Sequence, residues 1–214
     1  MLEGSRHIMA VNASCMDLHQ APELFRLLPA LMRVDLSRNP RLELVAPLRG
    51  CKNLQVVDLS GCSDLRDLLP LGTLPFLRTV DLSRCTEIED ITPLLISDRT
   101  RSRESMASTA ATRSGSMSAR REFPLGHPAL EWLSLCGCRS LRHGVSLIQS
   151  CHKLSHVDLF DCPQADPAEC YEASRAPQLL TFVWPGSSGM LEALAQAESW
   201  PRARLATATA ADTA

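Results

Sequence analysis

Thiols, imidazoles, carboxylates and large rings are the side chains of this 214-residue chain with chemistry to offer. The nine cysteines are odd in number, which does not suit a closed disulfide framework. Cys136-x-Cys138 is the one close pair, and on a strand its side chains would point to opposite faces, a poor geometry for a shared metal. The histidines His7, His19, His127, His143, His152 and His156 are scattered. His152 and His156 would share a face only on a helix, and they fall on a turn and a strand instead. No Gly-rich phosphate loop, G-x-S-x-G or H-E-x-x-H occurs. The expectation is therefore a non-catalytic protein with no cofactor and no metal. The carboxylates are more regular. Asp35, Asp58 and Asp81 recur at intervals of 23 residues, and Asp158 holds the same place in a later copy. Such a row looks like a site for cations or a basic partner.

What must position that row is a repeat. Val-Asp-Leu-Ser stands at 34–37, 57–60 and 80–83, inside a nine-residue frame L-x-x-V-x-L-x-x-C. The frame begins at Leu31, Leu54 and Leu77, returns at Leu130 and Leu154, and fits loosely at Ile8 and Leu179. Its fourth and sixth positions are apolar and alternate with polar ones, the period of a half-buried strand. One such strand cannot bury its inner face alone, so the copies must stack into a parallel ladder. The ninth position, Asn39, Cys62, Cys85, Cys138 and Cys162, is where the chain turns inside. A proline at 47, 70 and 93 opposes a long helix on the returning half, which predicts short turns or 3₁₀ pieces there.

This pattern resembles the leucine-rich repeat family over about 180 residues. The resemblance implies an α/β solenoid with a curved parallel sheet on its concave side. It also implies that the ninth side chain bonds free backbone groups, and that the module binds a protein partner. The stretch 85–94 looks like the internalin type of repeat. Cys51-x-x-Leu54 and Cys151-x-x-Leu154 resemble the cysteine-containing repeats of F-box proteins. An alternative is thus the substrate-recognition module of an F-box-type ubiquitin ligase lacking its F-box segment.

Positions three, five and seven of the frame should face the concave side. Position three supplies Trp132 and His156 as ladder neighbours, and position seven supplies Phe160 farther along the same strand. Exposed rings of this kind anchor protein interfaces. The other reading is that the inserted loop or a C-terminal helix covers them. For the aspartates, neighbouring charges about 4.8 Å apart repel by roughly 1 kcal/mol in water and 3–4 kcal/mol at an effective dielectric of 20. Adjacent serines and Arg33, Arg38, Arg78 and Arg84 can offset that. Either a hydrogen-bonded structural ladder or a partner site accounts for the row.

The domain expected is a repeat array over 1–187 of about seven copies. It is interrupted at 97–122 by a disordered Ser/Thr/Arg-rich insertion, because that segment holds too little apolar surface to offset its ordering entropy. Ser102 and Ser105 there sit in basic contexts that resemble kinase sites; a plain tolerated insertion is the other reading. Residues 188–214 should form a short capping helix and an Ala-rich tail. The first copy starts almost at Met1, so the uncapped end invites self-association unless the chain is a fragment or that copy caps itself. A net charge of −2 gives no case for nucleic acid or an anionic membrane. No apolar run is long enough to span a bilayer, and the first residues lack a signal-peptide core. With reduced thiols, this predicts an intracellular, cytoplasmic protein.

Overall fold

The computed structural model describes residues 7–96 and 126–184. The inserted segment 97–122, Ser102 and Ser105, and the capping helix and tail after 187 lie outside the described residues.

Seven three-residue strands form one parallel sheet in sequence order: β1 Ala10–Asn12, β2 Arg33–Asp35, β3 Val56–Asp58, β4 Thr79–Asp81, β5 Trp132–Ser134, β6 His156–Asp158 and β7 Thr181–Val183. Frame position three pairs with position three at every step, so the register is the repeat itself: Val34 lies beside Val57, Val57 beside Val80, and Val80 beside Leu133. The ladder runs past the strands. The N–H of position six donates to the next copy's position-five carbonyl, as from Leu59 to Asp81 at 2.8 Å. The N–H of position eight donates likewise to position seven, as from Arg84 to Cys136 at 2.6 Å. Position eight is also where the chain must turn inward. Cys15, Arg38, Gly61, Arg84, Gly137 and Asp161 all have left-handed backbone, with φ between 54° and 78°. That geometry bends the chain into the interior.

Behind the sheet, the position-one, -four and -six residues form one buried core, joined by the apolar residues of the returning half. The returning half holds short elements both where proline stands, at 47, 70 and 93, and where it does not, after Gly144. Glu23–Leu27, Ala46–Gly50 and Val145–Ser150 are 3₁₀ helices. The third and fourth copies differ from the expectation of turns or 3₁₀ pieces, each closing a single α turn, α1 Leu69–Gly72 and α2 Thr92–Leu95. Proline at the second helical position tolerates this, because its missing N–H is unpaired there in any case. One longer helix follows, α3 Pro167–Ser174, opened by Asp166, whose Oδ1 accepts the Ala168 N–H at 2.8 Å.

The ninth-position side chains do bond backbone. The thiols of Cys62, Cys85, Cys138 and Cys162 donate to carbonyls one copy back, Leu36, Leu59, Leu82 and Leu135, at 3.0–3.3 Å. Asn39 does more. Its Nδ2 donates to Ala13 and Leu36 carbonyls at 2.9 and 2.7 Å, and its Oδ1 accepts from Met16 and Leu18 N–H at 2.9 and 3.1 Å. The first copy therefore fits its frame loosely because its turn, strained at Cys15 and Asp17, is held by Asn39 from the next copy. At that end Ile8 and Met9 are exposed.

Candidate interaction face

The sheet's outer face is built from frame positions three and five, with position seven just beyond. Since each strand has only three residues, Phe160 lies in the turn after β6 and not on the strand itself. There it is 43% exposed. Trp132 and His156 are half-buried register partners on β5 and β6. His156 Nδ1 lies 2.7 Å from Ser155 Oγ, and that hydroxyl donates its one proton to the Glu131 carbonyl at 3.1 Å.

The aspartates are half-buried and each is tied into its own turn. Oδ1 of Asp35, Asp58 and Asp81 accepts the N–H of Ser37, Ser60 and Ser83 at 2.9–3.0 Å. Oδ1 of Asp158 accepts the Phe160 N–H at 2.9 Å. This fixes the turn that leads to the left-handed residue, so the row has a structural task. The four differ in what remains. Asp35 is the most engaged, since Ser37 Oγ donates to its Oδ1 at 2.7 Å and Asn12 Nδ2 to its Oδ2 at 3.0 Å. Oδ2 of Asp58, Asp81 and Asp158 has no side-chain partner among the described residues.

The row is broken at β5, where Ser134 lies in register between Asp81 and Asp158. Ser134 is 4% exposed, and its Oγ lies 2.7 Å from Ser83 Oγ. Below it Cys136 is half-buried. Burial pushes its thiol pKa up, Asp158, Asp161 and Asp81 add to that, and Arg84 opposes it. The break in the row is legible in the sequence as the replacement of aspartate by serine at position five, but the burial of Ser134 is not.

Two polar features belong to the core. All nine cysteines are free thiols. Burial raises the buried thiols, Cys62 to about 11 and Cys162 to about 12, so they stay protonated donors. His127 occupies a buried column otherwise filled by Leu28, Cys51, Leu74, Cys151 and Ala176. Its Nε2 bonds the Leu74 carbonyl at 3.0 Å, and burial lowers its pKa to about 4. Among the described residues no group of His, Cys, Asp or Glu is placed to hold a metal ion, and no helix is long and apolar enough to cross a membrane.

A family model described as "Leucine Rich repeats (2 copies)" matches residues 52–95, which contain β3 and β4. Together with the seven-stranded parallel sheet, whose first three steps are 23 residues each, this match fits a leucine-rich repeat solenoid. A comparison with curated proteins finds no match. Leucine-rich repeat domains generally mediate protein–protein interaction, and the family is typically non-catalytic.

Proposed function

We propose that the outer, concave face of the sheet binds a protein partner, anchored at Trp132, His156 and Phe160. The observation that supports this most is the concentration of rings on β5 and β6, beside a β2–β4 half that is polar except for Val56. Arg33, Asp35, Asp58, Thr79 and Asp81 precede them on β2–β4. Rings contribute far more buried apolar area than Ser or Asp, so they act as anchors while the polar half orients the partner. Nine free thiols favour a reducing, intracellular compartment for the complex.

A photo-crosslinking residue tests the face. Placed at Thr79 on the sheet it should capture the partner; placed at Arg49, exposed on the opposite side, it should not. Equal capture from both positions would remove the concave face from the account.

A narrower reading is the substrate-recognition module of an F-box-type ubiquitin ligase. It is favoured by Cys51 and Cys151, which occupy equivalent buried places three residues before a frame leucine. An F-box coding segment upstream in the genomic reading frame would support it, and an unrelated upstream domain would count against it.

A further inference from the structure

We propose that the first end of the array takes a second copy of this chain, β1 pairing antiparallel with β1 about a two-fold axis. In every later copy the position-three N–H donates to the position-two carbonyl of the copy before it, as from Arg33 to Met9 at 3.0 Å. The position-five carbonyl also accepts from the copy before, as Asp35 does from Ala13 at 2.7 Å. Ala10 and Asn12 hold positions three and five in the first copy, and among the described residues no strand lies before them. Their N–H and C=O groups therefore form a free edge. β1 carries neither a charge nor a proline, two devices that keep such an edge from pairing.

That edge is complementary to itself. In an antiparallel pair, facing residues alternate between those that exchange both backbone bonds and those that exchange none. With Val11 set opposite Val11 of the second copy, Ala10 faces Asn12 in both directions. Every outward backbone group of both strands is then paired. The flanking residues match. Frame positions one and nine are buried in the next five copies, yet in the first Ile8 is 37% and Met16 62% exposed. A ninth side chain reaches one copy back, as Cys62 does to Leu36, and Met16 holds that place at the open end. Leu24, in line with buried Pro47 and Pro70, is 49% exposed.

Charge and symmetry favour a second copy over other occupants. Asp17 pairs with Arg41 at 3.4 Å and Glu23 with Arg26 at 3.0 Å, so neither carboxylate meets its own image unpaired. The first copy offers about twenty residues, comparable to one side of a standard interface. The last copy presents no matching open core, because Leu179, Phe182 and Trp184, at positions one, four and six, are already buried. Head-to-tail stacking therefore lacks its second surface, and a closed two-fold pair is the arrangement left.

Sedimentation equilibrium of the intact chain tests this, in reductant so that exposed Cys15 cannot link copies. A dimer should form at micromolar concentration. Ala10→Pro removes an outward N–H, and proline is tolerated on an edge strand. Met16→Asp/Leu24→Asp sets like charges against each other at places already exposed. Each should weaken the dimer about tenfold or more, whereas Leu180→Asp, equally exposed in the last copy, should leave it unchanged. A monomeric chain, or a dimer that survives either change at the first end, would overturn the proposal. So would a dimer weakened as much by Leu180→Asp, the mark of an unspecific apolar contact. A photo-crosslinking residue at Ala10 should join two copies through β1. A link only within one chain, or only to a different protein, would give this end another occupant and overturn the proposal.

Discussion

Arg84 lies along Gly137: a Cβ on the glycine would sit 3.4 Å from the arginine Cγ. The two occupy position eight of adjacent copies, both left-handed, with φ of 62° and 78°. Arg38 and Gly61 repeat the relationship one pair earlier, with the Cγ at 3.9 Å. The two arginines adopt the strained conformation because the inter-copy hydrogen bonds from their N–H groups to the Ser60 and Cys136 carbonyls hold it. The glycines adopt it freely.

Gly61→Ala should therefore destabilise the array by about 1 kcal/mol, through backbone conformation and not through crowding. The space at Gly61 is open to 3.6 Å, so no clash enters. Gly61→Val should cost more, since β-branching disfavours positive φ. Denaturant midpoints of the three proteins check this. An alanine variant as stable as the parent would show that position eight carries no strain.

Asn39→Ala should cost more than Cys62→Ala, although both residues are fully buried at the same frame position. The first removes bonds to five backbone groups, the second a single thiol bond at 3.3 Å. With about 1 kcal/mol or more per buried group left unpaired, the gap should reach roughly 2 kcal/mol. Equilibrium unfolding measures it; equal losses would mean that the first turn does not depend on Asn39.

Acid should weaken the fold through His127. Its pKa is about 4 when folded and 6.5 as a free side chain, so the unfolded chain binds the extra proton between those values. The stability this group contributes is complete above about pH 6.5 and is lost as pH falls toward 4, on the order of 3 kcal/mol. His127→Leu, matching Leu74 in its column, should remove that part of the slope. Unfolding at about pH 7 and about pH 4.5 compares the two proteins, and an unchanged slope would show that carboxylates alone set it.

The repeat made most of the fold legible. The frame fixes which residues pair: the first three ladder steps equal one 23-residue period, and Val34, Val57 and Val80 are in fact neighbours. Leu59→Asp tests that register: the side chain is fully buried, and a charge there should cost several kcal/mol, comparable to a domain's whole margin. Melting within a few degrees of the parent would mean the faces are exchanged. Less legible were features set by one copy acting on another. The left-handed column was hinted at only by Gly61 and Gly137, since arginine and aspartate share it. Helix α3 carried a readable start in Asp166-Pro167, yet Glu169 turns away from it to accept the Ser146 N–H at 3.1 Å. The unequal free capacity of Asp35 and Asp81 depends on Asn12 and Ser134, each one strand away, and so follows from packing and not from spacing.

The central claim is that the ring-bearing half of the concave face anchors a protein partner. Its most direct measurement is a titration of a recovered partner against Trp132→Ala, Phe160→Ala and Asp58→Ala, each checked for folding first. The two ring variants should each weaken binding by about 2 kcal/mol or more, and Asp58→Ala by under about 1 kcal/mol. Neutral ring variants beside a large loss at Asp58 would contradict the account and assign the site to the aspartate row.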